Sequence, residues 1–121
     1  MIHVLVTRPL EASLQLAGQL ENQGLHPVVM PFYTFSARQP AQNLNTAWST
    51  SVVRRLAVFT SPRAVEFGLP HIPADQLDCL EFAAVGSATR KKLEASGCRV
   101  HLQASSGYTS EDLLKVPELA V

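Results

Sequence analysis

Short apolar runs alternate with helical patterns along most of the chain. The run at 2–6 is rich in β-branched residues and nearly continuous in hydrophobicity, as in a buried parallel strand. Further strands are predicted at 56–60, 81–86 and 99–104. Two prolines in the extended stretch 26–35 favour an edge strand or a crossing segment over a central strand.

Helical patterns follow these strands. Leu10, Leu14, Ala17 and Leu20 recur at helical spacing after Pro9, and Gly24 is placed to end that helix. Further helices are predicted at 62–68, at 87–97 and from the capping-box sequence Thr109-Ser110-Glu111-Asp112 onwards, with a short helical turn in the loop between Leu69 and Leu80.

The alternation of strand and helix predicts an α/β fold. Its form is a mainly parallel open sheet flanked by helices, of flavodoxin-like design. The polar segment 36–54 interrupts the alternation, and favours a loop with a short amphipathic helix around Leu44, Ala47 and Trp48.

Composition narrows the class of protein. Of 121 residues, 46% are hydrophobic and 17% charged, which is typical of a soluble globular protein. Ten basic residues balance ten acidic ones, so no positive field indicates a nucleic-acid or membrane partner. No apolar run approaches the roughly 20 residues of a membrane helix, and the start lacks the pattern of an export signal. Cys79 and Cys98 have no CxxC spacing, which favours reduced thiols and a cytoplasmic location.

Hydroxyl-bearing residues stand where strands give way to helices. The junctions are Thr7-Arg8-Pro9, Thr60-Ser61-Pro62, Gly86-Ser87-Ala88-Thr89 and Thr109-Ser110. Ligands of open α/β sheets bind beyond the carboxyl ends of the strands, and helix N-termini favour anions. Helix capping alone also explains any one junction. Together they predict a site for a polyanion.

Other chemistry is not indicated. The four histidines have no metal-like spacing, and the chain has no GxGxxG, Walker or GxSxG motif. Arg90-Lys91-Lys92 is typical of a solvated helix face, and Arg63 favours a surface role. No pair of carboxylates stands out as a general acid and base, so the sequence identifies no catalytic residue.

Four motifs in order carry a resemblance to a known family. "VLVTRP", "FTSPRAVEF", "AAVGSATRKKLEASG" and "YTSEDLL", spread over residues 3–114, resemble uroporphyrinogen-III synthases. The resemblance implies an enzyme of tetrapyrrole (haem, sirohaem, cobalamin) biosynthesis. This hydro-lyase converts hydroxymethylbilane into uroporphyrinogen III, with loss of water, ring closure and inversion of ring D, and without a cofactor.

The resemblance also implies a site and a fold. The fold is two α/β domains with the substrate in the cleft between them. Substrate-binding positions implied by the matching motifs are Thr7 and Arg8 from the first domain, and Ser61, Gly86, Ser87, Thr89, Thr109 and Ser110 from the second. Thr89 is the position expected nearest the substrate.

Domain boundaries follow from the same layout. Residues 1–33 are expected to form the first strand-helix-strand of domain one, and 34–121 most of an incomplete domain two. Family members are about twice as long, so this chain is expected to be an inactive fragment, or to be completed by a missing C-terminal half or a second copy. Two alternatives stay open: a non-catalytic α/β module that binds an anion or a tetrapyrrole, and a structural remnant without a ligand.

Overall fold

The computed structural model describes residues 1–41, 54–104, 107 and 109–119. It divides into two compact units, Met1–Ala37 and Arg38–Val121. The predicted domain boundary at 33/34 is near this division, but the assignment of the units to the two domains of the family stays a prediction. The helix predicted around Leu44 lies outside the described residues.

Unit 1 is one strand-helix-strand motif. Strand β1 (His3–Val6) leads through Pro9 into helix α1 (Leu10–Glu21), and β2 (His26–Val29) returns parallel to β1. Gly24 has a φ of +77° and reverses the chain after the helix. Among the described residues β2 pairs with β1 alone. Both strands of a two-stranded sheet are edge strands, so the choice between an edge strand and a crossing segment for this proline-containing stretch stays a prediction.

The helix packs on one face of this sheet. Its buried side chains are Ser13 and Ala17, and Val6 is buried in β1. Leu10 and Leu14, which belong to the apolar pattern that predicts the helix, are exposed instead. The buried stripe runs along the Ser13 side because that side faces the strands.

The opposite face of the unit 1 sheet is open. Leu5 and Val28 are partners in the parallel ladder, and they are 55% and 44% exposed. His3 and His26 lie beside them, with ring centroids 5.5 Å apart. Parallel sheets are normally covered on both faces. We call this uncovered surface of four residues the open face of unit 1.

Unit 2 holds a three-stranded parallel sheet of order β3-β4-β5. The elements are β3 (Leu56–Phe59), α2 (Pro62–Gly68), α3 (Ala74–Leu77), β4 (Glu81–Ala84), α4 (Ser87–Ala95), β5 (Val100–Gln103) and α5 (Ser110–Leu114), with short 3-10 turns at Leu69–His71 and Pro117–Leu119. The predicted α/β class, with a parallel open sheet flanked by helices, is confirmed.

Two apolar clusters sandwich the central strand β4. Phe82 and Ala84 point into a cluster with Phe59, Val65 and Leu93. Ala83 and Val85 point the other way, into a cluster with Leu102, Leu113 and Val116. Successive side chains of a strand alternate between its faces, and both faces of β4 are covered. Its run of apolar residues is therefore continuous.

Candidate functional site at the helix starts

Three helices of unit 2 begin at the same edge of the sheet. Strands β3, β4 and β5 are parallel, so their carboxyl ends at Phe59, Ala84 and Gln103 meet at one edge. The helix starts that follow contain Ser61, Gly86, Ser87, Thr89, Thr109 and Ser110. We call this region the helix-start edge. It collects six of the eight residues predicted to bind a ligand, and the other two lie in unit 1.

Ser61 caps helix α2. Its backbone is extended, and its Oγ accepts a hydrogen bond from the N–H of Ala64 at 3.0 Å. Pro62 occupies the first helical position, where no N–H is needed. The hydroxyl of Ser61 keeps its own proton to donate, so the cap leaves one hydrogen bond for a ligand.

The guanidinium of Arg63, on the same helix, already interacts with groups of the protein. Its guanidinium pairs with Glu66 at 3.0 Å and lies 5.8 Å from the centroid of the Phe67 ring. Glu66 and Phe67 belong to its own helix. The Arg63 side chain is half-buried, and the surface role predicted for it stays a prediction.

Helix α4 begins without a side-chain cap. Its N-cap residue, Gly86, is extended, with φ −145° and ψ 169°, and no described side chain caps the first turn. Ser87 follows as an exposed first residue. The amides of this nine-residue helix are therefore open to an acceptor from outside, and the helix dipole favours an anion there.

Thr89 lies on the inner side of the same helix. It is 3% exposed, together with buried Leu93 one turn later. No fully buried side-chain nitrogen or oxygen among the described residues lacks a hydrogen-bond partner. Thr89 thus offers little surface to a ligand in this structure, and its predicted place nearest the substrate stays a prediction.

Helix α5 carries its own anion. The Asp112 carboxylate accepts hydrogen bonds from the N–H and hydroxyl of Thr109, at 3.1 and 2.7 Å, and the Asp112 N–H donates to the Thr109 oxygen at 3.3 Å. This completes the predicted capping box. The pKa of Asp112 is lowered by the Thr109 hydroxyl, then by the Thr109 amide and by Lys115. With an internal carboxylate at its start, α5 is less suited to an external one, although Ser110 is exposed.

Arg90 brings a cation to the helix-start edge. It is exposed on α4, where its Nε binds Glu94 at 2.9 Å, and its terminal nitrogen donates to the Gln103 side chain at 3.2 Å. Gln103 is the last residue of β5. Arg90, Lys91 and Lys92 are all exposed, as predicted for a solvated helix face. The contact of Arg90 with Gln103 is not predictable from the local sequence, since it depends on how α4 packs beside β5.

The Thr7-Arg8 turn of unit 1 is held by a serine that sequence reasoning did not single out. Ser13 is fully buried, and its hydroxyl donates to the Arg8 carbonyl at 2.6 Å. Thr7 is half-buried and Arg8 is exposed. A serine on the inner face of an otherwise apolar helix is the signal that could have found it, because a buried hydroxyl needs a partner.

Two further searches of the described residues set bounds on the chemistry. No cluster of three or more histidine, cysteine, aspartate or glutamate side chains in that part of the chain could hold a metal ion. No helix in it is both long and apolar enough to cross a membrane.

Comparison with known proteins bears on the identity of the chain. Residues 15–120 match a family model described as Uroporphyrinogen-III synthase HemD. A search of curated proteins gave no match. The family match begins within α1 and covers all of the described part of unit 2 with its helix starts, whereas Thr7 and Arg8 precede it. The chain therefore belongs to the uroporphyrinogen-III synthase family.

Proposed function

We propose that the chain serves in the conversion of hydroxymethylbilane to uroporphyrinogen III in tetrapyrrole biosynthesis. In this cyclising lyase reaction the C–O bond of the terminal hydroxymethyl group breaks and its oxygen leaves as water. The freed carbon bonds to the carbon of the last pyrrole that already carries the chain. That older C–C bond then breaks and forms again at the other α-carbon of the same pyrrole, which loses its proton, so that the ring closes with the last pyrrole inverted. The observation that carries the proposal is the family match over residues 15–120.

The helix-start edge supports a carboxylate-rich ligand. The uncapped start of α4 offers free amides and the exposed hydroxyl of Ser87. Arg90 and the remaining proton of the Ser61 hydroxyl lie at the same edge. Such groups hold the ends of a flexible linear substrate close to each other, which lowers the entropic part of the barrier to ring closure. Thr7 and Arg8 are proposed to contribute from unit 1.

The open face of unit 1 supports the proposal that further polypeptide covers this sheet in the active protein. Leu5 and Val28 would be covered if further strands or a helix packed on this sheet. We therefore propose that activity requires completion of this unit, by a C-terminal half or by a second copy of the chain. Light scattering after size exclusion distinguishes a dimer from a monomer.

A coupled assay tests the activity. Porphobilinogen and its deaminase generate hydroxymethylbilane, which cyclises without a synthase to the type I isomer, and the oxidised products are separated by chromatography. Type III isomer above the level of a heat-denatured sample is the expected result for a completed chain. Type I isomer alone from an oligomer or a completed chain contradicts the enzymatic proposal.

Binding without turnover is the second candidate. It is favoured because charged side chains at the helix-start edge already have partners within the protein. Asp112 accepts a hydrogen bond from Thr109 in the cap of α5, and Arg90 pairs with Glu94. Fluorescence titration with uroporphyrin III, together with type I isomer alone in the coupled assay, would support a binding module of the same family.

Two serines on one helix provide a matched pair for the site. Ser87 is exposed at the start of α4, whereas Ser96 is exposed just after its end and donates to the Lys92 carbonyl. Ser87→Ala is expected to weaken tetrapyrrole binding about tenfold, as for the loss of a hydrogen bond to a charged group. Ser96→Ala is expected to leave binding unchanged. Equal effects of the two variants would remove the α4 start from the site.

A further inference from the structure

Strands β4 and β5 pair through one irregular step. Phe82 lies opposite Val100, and the next residue, Ala83, lies opposite Leu102. One extra residue, His101, therefore stands in β5 at this step, as in a β-bulge. The irregularity lies near the amino ends of the strands, away from the helix-start edge.

A histidine ring replaces a backbone acceptor at this bulge. Amides of neighbouring residues in a strand point to opposite sides of the strand. The Glu81 N–H points towards β3 and donates at 2.9 Å to the carbonyl of Arg55, the residue before that strand. The N–H of Phe82 points to the β5 side, where it donates to Nδ1 of His101 at 3.0 Å. The side chain thus closes the hydrogen-bond ladder that the bulge interrupts.

This acceptor exists only in one protonation state. Nδ1 accepts a hydrogen bond only while it carries no proton, so the proton of the neutral ring lies on Nε2. An imidazolium has two donors and no acceptor. His101 is exposed, and its hydrogen bond with the Phe82 amide is partly buried. Protonation of His101 would remove the protein acceptor of this amide. A buried amide without a partner is unfavourable.

Charged and titratable groups lie near the His101 ring. Glu81, on the neighbouring strand, attracts a positive charge on His101, and the pKa of Glu81 is itself lowered by the hydrogen bond from Arg54. The Glu81 carboxylate therefore stays charged to a lower pH than an ordinary glutamate. His101 also lines a surface cavity of about 320 Å³ whose other titratable or charged side chains are Asp78, Cys98 and Arg99.

We propose that His101 is a pH-sensitive link between β4 and β5. The neutral ring completes the ladder at Phe82, and protonation releases this amide and loosens the start of both strands. The device is independent of the proposed enzymatic function, because it lies at the opposite end of the strands from the helix-start edge.

Amide hydrogen exchange measured by NMR on the full chain tests the link. The protection factor of the Phe82 amide is expected to fall about five- to tenfold between about pH 8 and about pH 5, as for the loss of one net hydrogen bond across the titration range of histidine. The Val85 amide, which donates to the Phe59 carbonyl at 3.1 Å on the other side of β4, serves as the internal reference. Its protection is expected to change little.

Two variants of His101 test its role as hydrogen-bond acceptor separately from its response to pH. His101→Asn keeps an acceptor oxygen on the atom bonded to Cβ, near the position of Nδ1, but does not titrate. It is expected to keep Phe82 protected at both pH values. His101→Phe keeps a ring without an acceptor, and is expected to leave Phe82 poorly protected throughout.

The nitrogen spectrum of the unsubstituted chain gives an independent readout. At pH 8 the His101 imidazole is expected to carry its proton on Nε2, with Nδ1 unprotonated. A proton on Nδ1, a Phe82 protection that does not change with pH, or an equal pH response in His101→Asn would each overturn the proposal. The spectrum decides even if a variant fails to fold.

Discussion

The cap at Ser61 allows a quantitative test of how helix α2 is held at the edge of the sheet. Ser61→Ala removes the oxygen that accepts from the Ala64 N–H at 3.0 Å. Pro62 has no N–H to satisfy, and the Val65 N–H already donates to the Ser61 carbonyl at 3.3 Å. The serine oxygen therefore accepts from the amide of the third helical residue, which has no partner within the helix.

Loss of this cap is expected to reduce the free energy of unfolding by about 1 kcal/mol. The corresponding fall in melting temperature is roughly 4–8 °C, the range for a domain of about 60–100 residues. Ser61→Gly is expected to cost only a few tenths of a kcal/mol, since glycine adopts the extended cap conformation and leaves the amide open to water. The order of the two variants is thus the reverse of that in a helix interior, where glycine is worse than alanine.

Urea unfolding followed by far-UV circular dichroism measures both variants. Ser87→Ala is the matched control, because Ser87 is exposed at the start of α4 and caps no amide there. Its unfolding midpoint is expected to stay at the value of the unsubstituted chain. A glycine variant of Ser61 less stable than the alanine variant would refute the capping role, as would a loss in the Ser87 variant equal to that in Ser61→Ala.

Further predictions concern the capping box and the thiols. Gly107→Ala is expected to lower the melting temperature of the chain more than Gly97→Ala. Both glycines have a φ above +80°, but of the two only Gly107 would place a Cβ that overlaps the Asp112 carboxylate. Equal losses in the two variants would contradict the overlap. The lowered pKa of Asp112 means that its contribution to stability is present above the ordinary carboxylate pKa of about 4 and is lost as the pH falls through the lower native value. The deficit of Asp112→Asn relative to the unsubstituted chain is therefore expected to narrow between pH 7 and pH 3 in urea unfolding, and a constant deficit would contradict this sign. Cys79 is exposed whereas burial raises the pKa of the Cys98 thiol, so a thiol reagent is expected to label Cys79 first, and fast double labelling of the native chain would be inconsistent with the structure.

Local signals carry much of the fold. The capping box at Thr109 and the proline after Ser61 place two helix starts by chemistry within a few residues, and both are present. Gly97, with a φ of +86°, ends α4 for the same kind of reason. Such features are predictable because their hydrogen bonds join residues close in sequence.

The candidate site is less evenly predictable. Four hydroxyl-bearing junctions look alike in sequence, but the structure separates them. Ser61 caps a helix and Asp112 fills the start of α5, whereas the helix starts at Pro9 and Gly86 have no side-chain cap. The burial of Thr89 was not predictable, because which side of a helix faces the sheet depends on non-local packing.

The sequence by itself determined the α/β class, the order of the described strands and helices, and the positions of the helix starts at which an anionic ligand is predicted. Hydrophobic period and capping chemistry act over one or two turns, so they are legible in the chain. The tertiary structure decided the strand order β3-β4-β5, the extra residue His101 whose ring closes the ladder at Phe82, and the open face of unit 1. These features depend on contacts between residues far apart in the chain, which the local pattern does not encode.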